Sequence, residues 1–507
     1  MIPKYVYLII YVSRNRALYS TLSTIGYNVT TLSIQTDNPA NKKFPNLHYI
    51  QLEKVYKTLA TTQNYDLIEF AKHSTYTSIT HINGVFGTSD GITMQTKGLQ
   101  SLLNYPRDFK FDLVLYDYTG IPGLLSVVMD RFGYPPLVGL TAFTNPPNTN
   151  SLVGGAPLAS LVPYYNTELP QVMSFWERSK NLFFYLHDWR VRRALLKEAQ
   201  MRAELIYGEK LPNLEEVEGK ASLVMVNTHP SMDLPQPLLP NIIEIGGMHI
   251  EEPKPVPQAI KHFIESGKKG AVLFSIGSTL RSAVIGQHRI DMFVNALARL
   301  PEYNFLWKFE EDGLEVPKNI MLQKWFSQND ILAHPNLKLF ITHGGLLSSQ
   351  EATWHGVPML GVPFFGDQRA NIKKATEAGV AEKLDLLTMT EDDIYQKVKQ
   401  MLEDESYRQK MALRSSRFRD RPMHPLQEAT WWCEYVLRHK GAPHLKSLAA
   451  VMGAPTLFMW DLVLVWLGLF LGGAFLVVLG LKKIFYPAEG QKSDRKGRSN
   501  VKSQKID

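Results

Sequence analysis

The chain has 507 residues, 45% of them hydrophobic and 20% charged, which is enough for two globular domains of ordinary size and excludes a disordered polyelectrolyte. Its net charge of +7 does not mark a nucleic-acid binder, because eight Lys/Arg against three acids fall after Leu481 and the rest of the chain is close to neutral. A lone cysteine, Cys433, excludes an intrachain disulfide and suits a packed position between Trp432 and Glu434.

In chain order, the apolar run Tyr5 to Val12 in "MIPKYVYLIIYVSRNR" has one lysine before it and no small-residue cleavage pattern. It reads as a first β-strand rather than a secretory signal. "YNVTTLSI", "FDLVLYDY" and "PPLVGLTAF" follow as buried parallel strands, the first of them carrying the sequon Asn28-Val29-Thr30. The stretch "SMDLPQPLLPNIIEIGGMHIEEPKPVPQ" is dense in proline and glycine and reads as a linker. The strand rhythm restarts with "GAVLFSIGS", "YNFLWKFE", "NIMLQKWF", "LKLFITHGG" and "VPMLGVPFF", with "IGQHRIDMFVNALARL" and "LLSSQEATWHG" as helices between them. Two α/β units are expected, over 1–235 and 253–425 with 236–252 between them. Residues 426–461 hold an amphipathic aromatic stretch expected to pack back on the first unit, and then a juxtamembrane segment. Residues Leu462 to Leu481 run without a charge and at about 1.5 Å per residue span about 30 Å, the hydrocarbon thickness of a bilayer. The basic stretch 482–507 then belongs in the cytosol and the body in the lumen.

Chemistry concentrates around His343. The strand "LKLFIT" runs straight into His343-Gly344-Gly345, and a helix is expected to start near Leu347 to Ser349. Glycines admit a ligand close to the backbone, and a helix N-terminus offers unpaired N–H groups with partial positive charge, so the pattern suits a phosphate. By itself it fits a tight strand-to-helix turn better than a phosphate seat. The flanks add more: Trp325 offers a ring face for a base, Gln328 a carboxamide, Glu351 a carboxylate for ribose hydroxyls, and Asp367-Gln368 acceptors for a sugar. Ser348 and Ser349 can cap the helix or touch the phosphate.

The stretch "WFSQNDILAHPNLKLFITHGGLLSSQEATWHGVPMLGVPFFGDQRAN" resembles the donor-binding signature of the UDP-glycosyltransferases, the family of membrane-anchored UDP-glucuronosyltransferases and their insect relatives. "GGMHI", "FSIGS", "WWCEYVLRHKGAPHL", the apolar span and the basic tail follow the family's order. The likeness implies a GT-B fold, with two Rossmann-like domains facing across a cleft and one C-terminal transmembrane helix. The second domain is then expected to bind UDP-sugar and the first the acceptor. It assigns Trp325 to uracil, Gln328 to the uridine, Glu351 to ribose, His343 to the diphosphate with Ser278 nearby, and Asp367 with Gln368 to the sugar; Gly345 and Ser348 complete the donor set. No metal or cofactor is expected beyond the UDP-sugar co-substrate, UDP-glucose or UDP-glucuronate. Leu347 stands where vertebrate members usually have Asn, and this insect-like form leans to glucose.

The family's catalytic pair is a histidine and an orienting aspartate. The aspartate matches Asp117. The histidine position falls on Tyr11, and no histidine precedes His48. Two readings follow: an inverting hexosyltransferase acting on a small lipophilic hydroxylated acceptor, or a non-catalytic UDP-sugar-binding homologue partnering active members. The resemblance also implies an endoplasmic reticulum membrane and is compatible with homo- or hetero-oligomers, while residues 63–105 and 145–185, which would shape the acceptor site, carry no readable code.

Overall fold

The structure, a computed structural model, describes residues 5–10, 15–35, 42–55, 58, 67–118, 120–155, 157–277, 281–450, 452 and 454–485, and every count and absence below is of these residues. Short apolar runs bury their backbone only if its N–H and C=O groups find partners, and here they do so in two sheets. β1 (Tyr5–Ile10), β2 (Asn28–Ser33), β3 (Leu47–Gln51), β4 (Leu113–Asp117), β5 (Leu137–Leu140), β6 (Ala221–Val226) and β7 (Ile242–Glu244) stand in the order β3-β2-β1-β4-β5-β6-β7. β8 (Ala271–Ser275), β9 (Asn304–Lys308), β10 (Ile320–Gln323), β11 (Leu337–Thr342), β12 (Met359–Gly361) and β13 (Ala381–Lys383) stand in the order β10-β9-β8-β11-β12-β13. Each described pairing is parallel.

Both sheets are covered on both faces, as parallel sheets must be. Alternation along β4 shows it: Leu113 and Leu115 join Leu18, Leu22 and Cys433 in one core, while Val114 and Tyr116 join Leu124, Val127 and Leu196 in another. In the second sheet Val272, Phe274, Phe305 and Trp307 form one core, and Leu273, Leu306 and Phe340 the other. The helix Pro425–Arg438, with Pro425 in its first turn, buries Ala429, Cys433 and Val436 against the first sheet's core. Burial there pushes the Cys433 thiol pKa up. The long helix Phe175–Tyr207 opens on a capping box between Ser174 and Glu177 and ends at Gly208 in the left-handed region.

β7 lies inside the stretch read as a linker, pairing with β6 at the edge of the first sheet. Its three residues are flanked by prolines that mask so short a strand. Residues 451–507 form a separate unit containing the helix Trp460–Phe485, which with 26 residues is long and apolar enough to cross a membrane.

In each sheet the strand order reverses once, between β1 and β4 and between β8 and β11. At such a switch point the connections leave to opposite faces and open a crevice beyond the carboxyl ends of the strands. Asp117 is the last residue of β4, and Thr342, paired with Ser275, is the last of β11. Both candidate centres therefore sit where this topology makes room for ligands.

Candidate active site

At the second switch point, the loop after β8 and the loop after β11 enclose one imidazole. A β-carbon on Gly277 would lie 2.7 Å from the His343 ring, and one on Gly345 would lie 2.4 Å from its Nε2. Only glycine fits at either position. Gly277 and Gly344 also have φ of +92° and +79°, where an L side chain is strained. Lys308 fixes the first loop by donating to the Gly277 carbonyl at 3.0 Å and pairing with Glu310. Burial, and then the Lys308 charge, hold the His343 pKa down at about 4, so the ring is neutral at physiological pH and can offer a hydrogen bond without a charge. The helix Leu346–His355 starts directly afterwards, one residue earlier than the sequence suggests. Its N-cap is Gly345, which has no side chain to cover the first turn, so N–H groups there point at whatever anion enters.

The uridine-side candidates converge on the same helix. Gln328 Nε2 donates to Glu351 Oε2 at 2.7 Å and to Ser348 Oγ at 3.0 Å. His249 Nε2 donates to the Leu347 carbonyl at 3.2 Å and lies 3.6 Å from Glu351 Oε1. Burial raises the Glu351 pKa to about 7, Gln328 opposing the rise and Asp330 adding to it. Trp325 is 65% exposed, with the Lys308 ammonium 5.9 Å from its ring centroid, and its ring is open to a stacking partner. On the far side Asp367 stands immediately before the helix Gln368–Glu377, its side chain making no capping bond. Burial raises its pKa to about 6, against the pull of Asn371 and Lys374, and Asn371 Nδ2 donates to Asp367 Oδ2 at 2.8 Å and to the Gly344 carbonyl at 3.0 Å. Gln368 spends its Oε1 on the backbone N–H groups of Phe364 and Phe365, leaving its amide nitrogen for a ligand.

At the first switch point Asp117 is fully buried, and Asn15 Nδ2 donates to its Oδ2 at 3.1 Å. Tyr11 and Ser278 lie outside the described residues. Between the two halves a cleft is bounded by Thr144, Asn145, Tyr164 and Tyr165 on one side and by Ala370 and Lys373 on the other. Tyr165 feels the Asp367 charge, which adds to the burial that raises its pKa, so the cleft adjoins the presumed sugar end of the donor set.

Several contributors escaped the sequence reading. Lys308 gave one signal, a charge ending the otherwise apolar run "NFLWK". His249 and Arg369 gave none, since each acts through a partner distant in sequence, and neither did Asn371, which ties Asp367 to the Gly344 carbonyl. Arg369 donates to the carbonyls of Ala71 and His73, and Phe70 packs edge-on against Phe365 at 5.0 Å. A segment of the first half thereby docks on the loop that leads to Asp367.

Comparison with known proteins identifies the family. The family described as UDP-glucoronosyl and UDP-glucosyl transferase matches residues 26–485. UDP-glucosyltransferase 2 of Dactylopius coccus is 34% identical over 474 residues, covering 91% of this chain and 88% of that one. Human UDP-glucuronosyltransferase 2B15 is 36% identical over 354 residues, covering 68% of this chain and 64% of that one. Among solved structures, glycosyltransferase VinC in complex with DTDP superposes with a TM-score of 0.57 at 15% identity, covering 86% of this chain and all of that one. SnogD from Streptomyces nogalater gives 0.55 at 15%, covering 85% of this chain and all of that one. The fold is GT-B, and the chain belongs to the UDP-glucoronosyl and UDP-glucosyl transferase family, as an enzyme that transfers a glycosyl group from a UDP-sugar.

Proposed function

We propose that this enzyme transfers glucose from UDP-glucose to a hydroxyl of a small lipophilic acceptor, inverting the anomeric carbon. The observation that carries the reading is the order of groups along the chain, tied together around the carboxyl end of β11: Trp325 and the Gln328–Glu351 pair, His343 with the open helix turn, and Asp367 with Gln368. That order matches base, ribose, diphosphate and hexose. The acceptor oxygen forms a bond to the anomeric carbon as the bond from that carbon to the diphosphate breaks. The electron pair leaves with UDP, where the helix terminus and the neutral His343 stabilise it without a formal cation. The acceptor's proton passes to a base on the first half, and Asp117 orients that base and stabilises its charge. A phenol of ordinary pKa, about 10, is a weak base at neutral pH, which argues against Tyr11 as that base. Membership in an enzyme family favours turnover over a binding-only role, and the similarity to a relative named as a glucosyltransferase favours glucose. We place the enzyme in the endoplasmic reticulum membrane with the body in the lumen, on the strength of the Trp460–Phe485 helix and the basic residues after it.

The test is transfer by the full chain from labelled UDP-glucose and UDP-glucuronate to a panel of phenols and steroids. Asp117→Asn is expected to lower kcat by about 10² to 10⁴ and leave UDP affinity unchanged. Transfer from UDP-glucuronate alone would overturn the sugar assignment, and an indifferent Asp117→Asn would remove the aspartate from catalysis.

A further inference from the structure

The outer face of the helix Phe175–Tyr207 is apolar where a surface helix ordinarily carries charge. Phe175, Trp176, Leu182, Phe183, Leu186 and Trp189 are each at least half exposed, and at 100° per residue they occupy one arc of the first four turns. Val172, 89% exposed, extends the arc before the helix begins. The opposite arc supplies Asn181, Phe184, Tyr185, Leu195 and Leu196 to the interior. Farther along the exposed arc the residues become Arg190, Arg193 and Lys197, of which Arg193 pairs with Glu215 and lies over Trp189. No carboxylate of the helix falls on the arc between Phe175 and Lys197.

Aromatic and aliphatic side chains that give way to cations along one helix face suit the headgroup region of a bilayer: rings settle at the boundary, apolar groups go below it, and arginines reach lipid phosphates. A two-fold contact with a second copy fits less well, because a self-complementary interface would need acids on the arc to answer its cations. We propose that residues 172–189 lie on the membrane surface, with this apolar arc sunk into the headgroup boundary and Arg190 and Lys197 against lipid phosphates. The proposal rests on the membrane-anchor reading above. A chain already tethered to a bilayer meets its surface at high effective concentration, so even a shallow patch binds.

The experiment uses the full chain with Leu186→Cys or Leu182→Cys, labelled with an environment-sensitive thiol fluorophore. Cys433 is fully buried, so the label goes to the introduced thiol. Leu413→Cys, at a 53% exposed position on the helix Ser406–Arg419, is the control. In vesicles of phosphatidylcholine and phosphatidylserine, labels at 182 and 186 are expected to lose most of their emission to lipids bearing a headgroup-level nitroxide and to resist aqueous iodide, with the reverse at 413. Free access of iodide to 182 and 186 in vesicle-floated protein overturns the proposal and leaves the anchor standing. Protection from both quenchers assigns the arc to another protein surface and also overturns it, whereas failure to float overturns anchor and arc together.

Discussion

Trp325 and Glu351 are the two donor residues whose contributions separate most cleanly. Stacking of a base on an aromatic ring is worth about 1–3 kcal/mol, so Trp325→Ala is expected to weaken UDP binding by that amount in calorimetry on the full chain, with Trp325→Phe recovering much of it. Unchanged affinity would show that uracil sits elsewhere. Glu351 makes binding depend on pH. Its burial holds the pKa at about 7; with Glu351 on the ribose as proposed, the hydroxyls donate to its ionised form, so UDP affinity should rise with pH through neutrality, by up to about tenfold per unit on the acid side. Glu351→Gln should bind more weakly and lose this dependence, and comparison of the two proteins subtracts the titration of UDP itself. Stability runs the other way. A pKa raised from 4.5 to about 7 gives a contribution that is intact below 4.5 and lost as pH rises through 7, so Glu351→Gln should melt higher than the parent at pH 8 and show little advantage at pH 4. At this scale the sequence named the donor-site candidates by the chemistry of their types, and the structure brings Gln328 against Ser348 and Glu351 of one helix. It hid His249, whose hydrogen bond goes to a residue many positions away, and Asn371, which ties Asp367 to the Gly344 carbonyl.

The strands and helices matter here for where they stop. β11 ends at Thr342 and β8 at Ser275, side by side at a switch point, and the next few residues fold around a single ring. Gly345 has φ −59°, so alanine costs nothing in backbone strain there and acts only by pressing on His343. Overpacking of this kind costs about 1–3 kcal/mol. Gly345→Ala is therefore expected to lower the melting temperature modestly and to weaken UDP binding in the same titration, because the displaced ring crowds the phosphate seat; full affinity would mean that the ring does not touch the ligand. The runs that became β4, β8 and β11 were legible as strands because they are fully buried and almost unbroken in apolar character. β13 (Ala381–Lys383) was not, since two of its three residues are charged, and β7 lay among prolines. Edge strands this short are specified by the neighbour they pair with, which a local pattern does not contain.

On the scale of the molecule, the donor groups lie on the second sheet and Asp117 on the first, so turnover depends on how the two halves are held together. One set of ties lies under the helix Leu346–His355. Gln350 accepts from the Gly247 N–H at 3.0 Å and donates to the Asn227 carbonyl at 3.2 Å, Arg414 donates to the carbonyls of Ser231 and Met232, and Lys374 pairs with Asp233 at 2.6 Å. The other set is at the mouth, where Arg369 holds the carbonyls of Ala71 and His73 and Phe70 meets Phe365. The mouth ties bear on catalysis alone, because Arg369 follows Gln368 in the sugar loop while its partners belong to the first half. Arg369→Ala should loosen residues 67–73 without moving any group assigned to the nucleotide. Loss of charge-assisted bonds at a partly exposed site is worth about 1–2 kcal/mol, which converts to roughly 5- to 30-fold in kcat/KM for the acceptor. UDP affinity in calorimetry should stay at the parental value, and Arg369→Lys should recover part of the rate, because an ammonium can still reach one carbonyl. An equal loss of UDP affinity and of turnover in Arg369→Ala would instead mean that the loop Phe364–Gln368 collapsed. In that case the docked segment would be a support for the donor site rather than the means by which the first half registers against it.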